Sequence, residues 1–168
     1  MEALNLPESK IRTRRQSDKL EIFDPVRKKY VILTPEERVR QYFIQYLTAC
    51  RNVPLSLIAV EVPLKYNRLK KRSDIVVYGT NGKPCLIVEC KAQEVEMTQA
   101  IFDQVAMYNM TLKVPYLVVT NGIEHYVCYI DHENKKYYFL KEMPAYDELM
   151  AVPDSVPSSR EMERPTKF

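Results

Sequence analysis

The chain has 168 residues, 46% of them hydrophobic and 28% charged, with 25 Lys plus Arg against 22 Asp plus Glu. That length holds one sizeable core and excludes a multidomain motor enzyme, and its only glycines, Gly79, Gly82 and Gly122, exclude a Walker phosphate loop or a dinucleotide-binding fingerprint. A net charge of +3 does not by itself mark a nucleic-acid binder; no run approaches the roughly 20 apolar residues of a spanning helix, and the charged first twenty residues do not suit a secretory signal, so a cytoplasmic protein without a membrane partner is expected.

Residues 1–19 are polar and basic, with Arg12, Arg14 and Arg15 close together, and are expected to form a flexible arm ahead of a short hairpin over 20–33. Thr34-Pro35-Glu36-Glu37 is a helix start: a threonine cap, a proline at the first helical position and a glutamate at the third. The helix should run to about Cys50, with Val39, Phe43, Tyr46, Leu47 and Cys50 inward and Arg38, Gln41 and Gln45 towards water. Short β-branched runs at 57–63, 74–78 and 85–91 read as strands. In the last two, Ile75-Val76-Val77 and Leu86-Ile87-Val88 are unbroken apolar triplets, as in central strands covered on both faces.

Thr98 caps a second predicted helix to about Leu112, with Ile101, Phe102, Val105 and Tyr108 inward; strands follow at 116–120, 126–130 and 137–140. From 151 the composition turns to Pro, Ser and charge, a loose tail that leaves 20–150 as the domain. The pattern is α/β, with a central mixed β-sheet flanked by helices. Cys50, Cys85, Cys90 and Cys128 sit in apolar runs without metal-ligand spacing, so neither a disulfide nor zinc is expected.

Glu-x-Lys occurs at Glu8, Glu89 and Glu133, and only Glu89 and Lys91 end a strand that should be buried, where charges need partners. Asn81-Gly82 signals a two-residue hairpin turn; closing it there pairs Thr80 with Lys83 and, further along, Asp74 with Glu89. Opposed side chains are about 5 Å apart at Cβ, and two like charges at that distance call for a cation between them. Hard oxygen ligands suit Mg²⁺, with Mn²⁺ as a substitute, and Lys91, on the face of Glu89, can orient water and oppose charge growing on a phosphoryl oxygen.

Asp74, then Glu89-Cys90-Lys91, after a helix bearing Glu37, resembles the PD-(D/E)xK nuclease superfamily and its restriction-endonuclease-like fold. More narrowly, Thr34 to Arg40, Leu86 to Ala92, Gln104 with Tyr108, and Val118 to Gly122 resemble the N-terminal nuclease domain of type I restriction enzyme R subunits. The resemblance implies a metal-dependent DNA endonuclease: Asp74, Glu89 and a strand carbonyl at Cys90 hold the metal, Lys91 is the catalytic lysine, Glu37 approaches from the first helix, and Gln104 and Tyr108 support. Ser73-Asp74 stands where the superfamily has proline-aspartate, and the helicase motor of R subunits is missing, so translocation does not carry over.

Lys65, Arg68, Lys70, Lys71 and Arg72 form a basic loop leading into Asp74, expected to contact the phosphate backbone of DNA, with Tyr66 able to stack on an exposed base. Other restriction-system subunits are further expected partners, and because a double-strand break needs two cuts, so is a second copy of the chain on DNA. His125 and His132 lack a diagnostic partner and read as structural or exposed. The competing reading of the chain is a non-cutting nucleic-acid-binding or complex-assembly module on the same fold; the competing reading of Asp74, Glu89 and Lys91 is a buried salt-bridge cluster, with Lys91 neutralising one carboxylate.

Overall fold

Thr34 ends the first extended segment: its side chain accepts from the Glu37 N–H, and Pro35 opens helix α1 (Pro35–Cys50). A computed structural model describes residues 3–8, 10–66 and 69–151, and for 64–66, 69–71, 108 and 111 the backbone alone. Before α1 lie β1 (Thr13–Gln16), β2 (Lys19–Asp24) and β3 (Lys29–Ile32), an antiparallel three-stranded sheet. After it come β4 (Ile58–Tyr66), β5 (Leu69–Tyr78), β6 (Pro84–Cys90), α2 (Gln99–Leu112), β7 (Tyr116–Thr120), β8 (His125–Asp131), β9 (Lys136–Phe139) and a short α3 (Tyr146–Met150).

Strands β4 to β9 form one six-stranded sheet in sequential order, antiparallel except for the parallel β6–β7 pair bridged by α2. The apolar triplets divide between its faces. Ile75, Val77, Leu86 and Val88 join Val39, Phe43 and Leu47 of α1 in one core, and Val76 and Ile87 join Phe102, Val105 and Ala106 of α2 in the other. Strict alternation under a helix on each face explains why the triplets carry no polar position. No described helix is long and apolar enough to cross a membrane.

Several expectations need correction. The expected arm contains β1, paired with β2 from Thr13↔Ile22 to Gln16↔Lys19, and a segment at Leu4–Leu6 fastened to the β7–β8 loop. Two of its arginines are engaged: Arg12 stacks over Phe23, and Arg14 over Tyr30 while bonding Glu21. The expected basic loop is the β4–β5 hairpin, with Lys65 opposite Lys70 and Pro63 opposite Arg72. Gln41 is buried rather than solvated, and Cys50, at the end of α1, is exposed. The expected tail, beyond 151, lies outside the described residues.

The β5–β6 turn also differs from the two-residue form. The Gly79 N–H donates to the Lys83 carbonyl (2.8 Å), Gly82 adopts φ 76°, and the loop is Thr80-Asn81-Gly82. Tyr78 therefore faces Pro84, but Val77 faces Leu86, leaving Cys85 as a bulge that absorbs the extra residue. From there the register runs Val76↔Ile87 and Ile75↔Val88, the last pair, and Asp74 and Glu89 are the residues next to it.

His125 is fully buried, its Nδ1 2.7 Å from Thr120 Oγ1 and its Nε2 2.8 Å from the Asn5 carbonyl. The Asn5 carbonyl can only accept, so Nε2 carries the proton of the neutral ring and Nδ1 accepts from the Thr120 hydroxyl, whose oxygen accepts in turn from the Gly122 N–H. Burial pulls the His125 pKa down to about 4. The unfolded chain then takes up a proton near pH 6.5 that the folded chain refuses until about pH 4, so stability is complete above pH 6.5 and falls below it. Between pH 6.5 and 5 urea denaturation should show a loss of roughly 2 kcal/mol that is strongly reduced in His125→Gln.

Candidate functional site

The site lies where the β5–β6 ladder ends. Asp74 is only half-buried, and its carboxylate closes the ladder: Oδ2 accepts from the Cys90 N–H (2.8 Å) and Oδ1 from Arg40 Nη2 (2.8 Å). Glu89 is 7% exposed and follows Ile87 on the α2 side of the sheet, with Lys91 Nζ 3.4 Å from its Oε1. The Lys91 N–H is held by the Thr120 carbonyl (2.8 Å), which fixes where the lysine leaves the strand. The Cys90 side chain points into the α1-side core, and burial pushes its thiol pKa well above the ordinary range, so only its backbone can serve a cation.

Glu37 reaches this end from the first turn of α1. Although Thr34 caps its N–H, its carboxylate does not complete a capping box: Oε1 accepts from Arg27 Nη2 and Gln41 Nε2, and Oε2 from Arg40 Nη1, each at 2.8 Å. Arg40 thus links Glu37 to Asp74. Burial works against its charge, but Glu37 and Asp74 outweigh that and raise its pKa above the ordinary arginine value.

Sequence reasoning missed the remaining members. Arg27, in the β2–β3 turn, binds Asp24, Glu37 and, from Nη1 at 3.1 Å, Glu61. Glu61 lies in β4 between Val60↔Ile75 and Val62↔Ser73, the interval of the ladder that also holds Asp74, and its Oε1 is 3.5 Å from Arg40. It also has φ 51° in the middle of a strand. A left-handed glutamate costs about 1–3 kcal/mol and persists only where its surroundings hold it. The available signal was in α1: Arg40 and Gln41 fall on the side of the helix that buries Glu37 and Ile44, where a polar residue needs a partner.

Arg27, Arg40, Glu37 and Glu61 close a ring of ion pairs, with Asp24 attached to one arginine and Asp74 to the other. With all six ionised, four carboxylates against two guanidinium groups leave an excess of two negative charges, which fits a divalent cation. Among the described residues no three His, Cys, Asp or Glu side chains gather as a ligand set. Two carboxylates and a backbone oxygen nevertheless suit Mg²⁺, which ordinarily keeps several waters and takes few protein ligands.

A family model described as type I restriction enzyme R protein N terminus matches residues 35–144. The chain belongs to that family. Among solved structures, a fragment assigned to an HsdR subunit of a type I restriction enzyme from Vibrio vulnificus YJ016 superposes with TM-score 0.50 at 21% identity, covering 70% of this chain and 25% of that one. A protein of Anabaena variabilis ATCC 29413 assigned as a DUF820 nuclease gives TM-score 0.43 at 10% identity, covering 80% and 79%. The chain spans about a quarter of the Vibrio fragment. No curated protein matches it in sequence.

The R-protein N-terminal match begins at the first residue of α1 and takes in the whole six-stranded sheet, hence Glu37, Arg40, Glu61, Asp74, Glu89 and Lys91; Asp24 and Arg27 precede it. Of the other residues expected at the site, Gln104 is exposed on α2 and the Tyr108 side chain is outside the description. Arg72 is exposed on β5, Lys65, Lys70 and Lys71 have a described backbone only, and Arg68 lies outside the described residues. Glu61→Gly and Glu61→Ala both delete the carboxylate, but only glycine suits φ 51°. The glycine variant should therefore be more stable than the alanine variant by about 1 kcal/mol or more in chemical denaturation, and equal stabilities would mean that this backbone is unstrained.

Proposed function

We propose that this chain is a metal-dependent DNA endonuclease. The observation that carries the reading is Asp74 and Glu89 next to the last paired residues Ile75 and Val88 of the β5–β6 ladder, with Lys91 Nζ 3.4 Å from Glu89 and Glu37 tied to Asp74 through Arg40. The membership in the R-protein N-terminal family supports it. Asp74, Glu89 and the Cys90 carbonyl would hold Mg²⁺ or Mn²⁺, which supplies Lewis-acid polarisation of a phosphoryl oxygen and acidifies water.

The chain's own residues then divide the remaining work. Lys91 offers N–H donors and a positive charge beside the scissile phosphate, where a water oxygen attacks phosphorus, one P–O bond to the sugar breaks and the leaving oxygen takes up a proton. Glu89, against Lys91, keeps that ammonium group near the strand end. Glu37 acts through Arg40 on the placing of Asp74, as a positioning residue. Arg72 and the lysines of the β4–β5 hairpin, together with Arg68, would meet the phosphate backbone, with Gln104 and Tyr108 supporting from α2. The same reading places the protein in the cytoplasm, with DNA, other restriction subunits and a second copy of the chain on DNA as partners.

One observation favours the non-cutting alternative: Asp74 is already neutralised by Arg40, as in a structural ion-pair cluster. Cleavage decides between them. Wild-type protein with Mg²⁺ or Mn²⁺ should cut plasmid, linear or single-stranded DNA, and Lys91→Ala and Asp74→Ala should each lose at least about a hundredfold in rate, the scale of removing one transition-state partner. Equal cleavage by all three proteins would identify a contaminant, and DNA binding with no cleavage by any would favour the binding module.

A further inference from the structure

Arg40 is shared by three carboxylates at unequal distances: Glu37 and Asp74 at 2.8 Å and Glu61 at 3.5 Å. Its side chain is 7% exposed, and among the described residues its Nε has no hydrogen-bond partner, the acceptors being met by its two terminal nitrogens. A cation taken up by Asp74 repels this guanidinium and competes for the same carboxylate. A displaced buried arginine needs another acceptor at once, because a charge left without one is costly. Glu61 lies in the same interval of the β4–β5 ladder as Asp74, between the pairs Val60↔Ile75 and Val62↔Ser73, with its side chain 41% exposed and its backbone in a conformation that glutamate adopts only under constraint.

We propose that Glu61 is a positioning residue that receives Arg40: when a divalent cation binds at Asp74, the guanidinium closes on Glu61 and leaves Asp74 Oδ1 to the cation. The proposal rests on the cation site described above. Glu37 holds Arg40 Nη1 throughout, so the group pivots and does not have to leave its pocket. The strained backbone is what keeps the second acceptor within reach. Cation uptake and the Arg40–Glu61 contact are therefore coupled, and each strengthens the other.

The test uses the full chain without DNA, with free Mn²⁺ counted by electron paramagnetic resonance. Glu61→Gln, which keeps the shape but weakens the acceptor, should bind Mn²⁺ about tenfold more weakly than wild type, a coupling of ordinary size. In an Arg40→Gln background the same substitution should change affinity less than twofold, because no guanidinium remains to be received. An undiminished tenfold loss there would make Glu61 a remote charge only, and no loss in the native background would remove its role; either result overturns the proposal. Should Arg40→Gln fail to fold, ¹⁵N spectra of arginine side chains decide: the Arg40 signals should move on Mg²⁺ saturation in wild type and stay in Glu61→Gln. Identical movement in both overturns the proposal while sparing the cation site. Wild-type protein that takes up neither ion overturns both.

Discussion

A guanidinium buried between a helix and the end of a β-ladder must find acceptors on both, and Arg40 finds Glu37 on α1 and Asp74 on β5. This pairing sets much of what surrounds it. It turns the Glu37 carboxylate away from the helix cap, gives Asp74 a fixed orientation in which its other oxygen replaces a ladder acceptor for the Cys90 N–H, and leaves β4 to bring Glu61 alongside through an unfavourable backbone angle. Buried ion pairs of this kind contribute little net stability against an apolar alternative, yet removing one partner costs about 3–5 kcal/mol because the other is stranded. The cluster therefore specifies geometry more than it strengthens the fold.

The sheet itself was legible in the amino-acid sequence because its signals are local. The apolar triplets of β5 and β6 have one residue for each covered face, and the Thr34 and Thr98 caps mark the helix starts. The expected register follows from a turn of the wrong length, yet the ladder reaches Ile75↔Val88, beside Asp74 and Glu89, because the Cys85 bulge restores the count of residues before Val77. What stayed hidden is what depends on distant chain: Arg27 meets Glu61 across 34 positions, and no periodicity reports such a contact. Gln41 was misassigned for the same reason, since its amide is held by Glu37 under the β1–β3 sheet, an element whose basic sequence reads as solvated.

Charge was the least readable quantity. The chain carries only a small net positive charge, while its site gathers an acidic excess at one end of the sheet and the β4–β5 hairpin carries lysines. Acidic and basic stretches of one chain cancel in its composition, so overall charge says little about which ligand a given site favours.

The segment before α1 has a consequence for how this domain is delimited. Asn5 fastens to Gly122 and His125 at the β7–β8 loop, while Arg27, held by Asp24, completes the ring through Glu37, yet all three precede the stretch recognised by family resemblance. The unit that recurs among relatives and the unit that buries its own polar groups thus have different borders. A fragment trimmed to the recurring unit would keep every strand of the large sheet but would take Arg27 from the Glu37 carboxylate and the Asn5 carbonyl from the His125 ring.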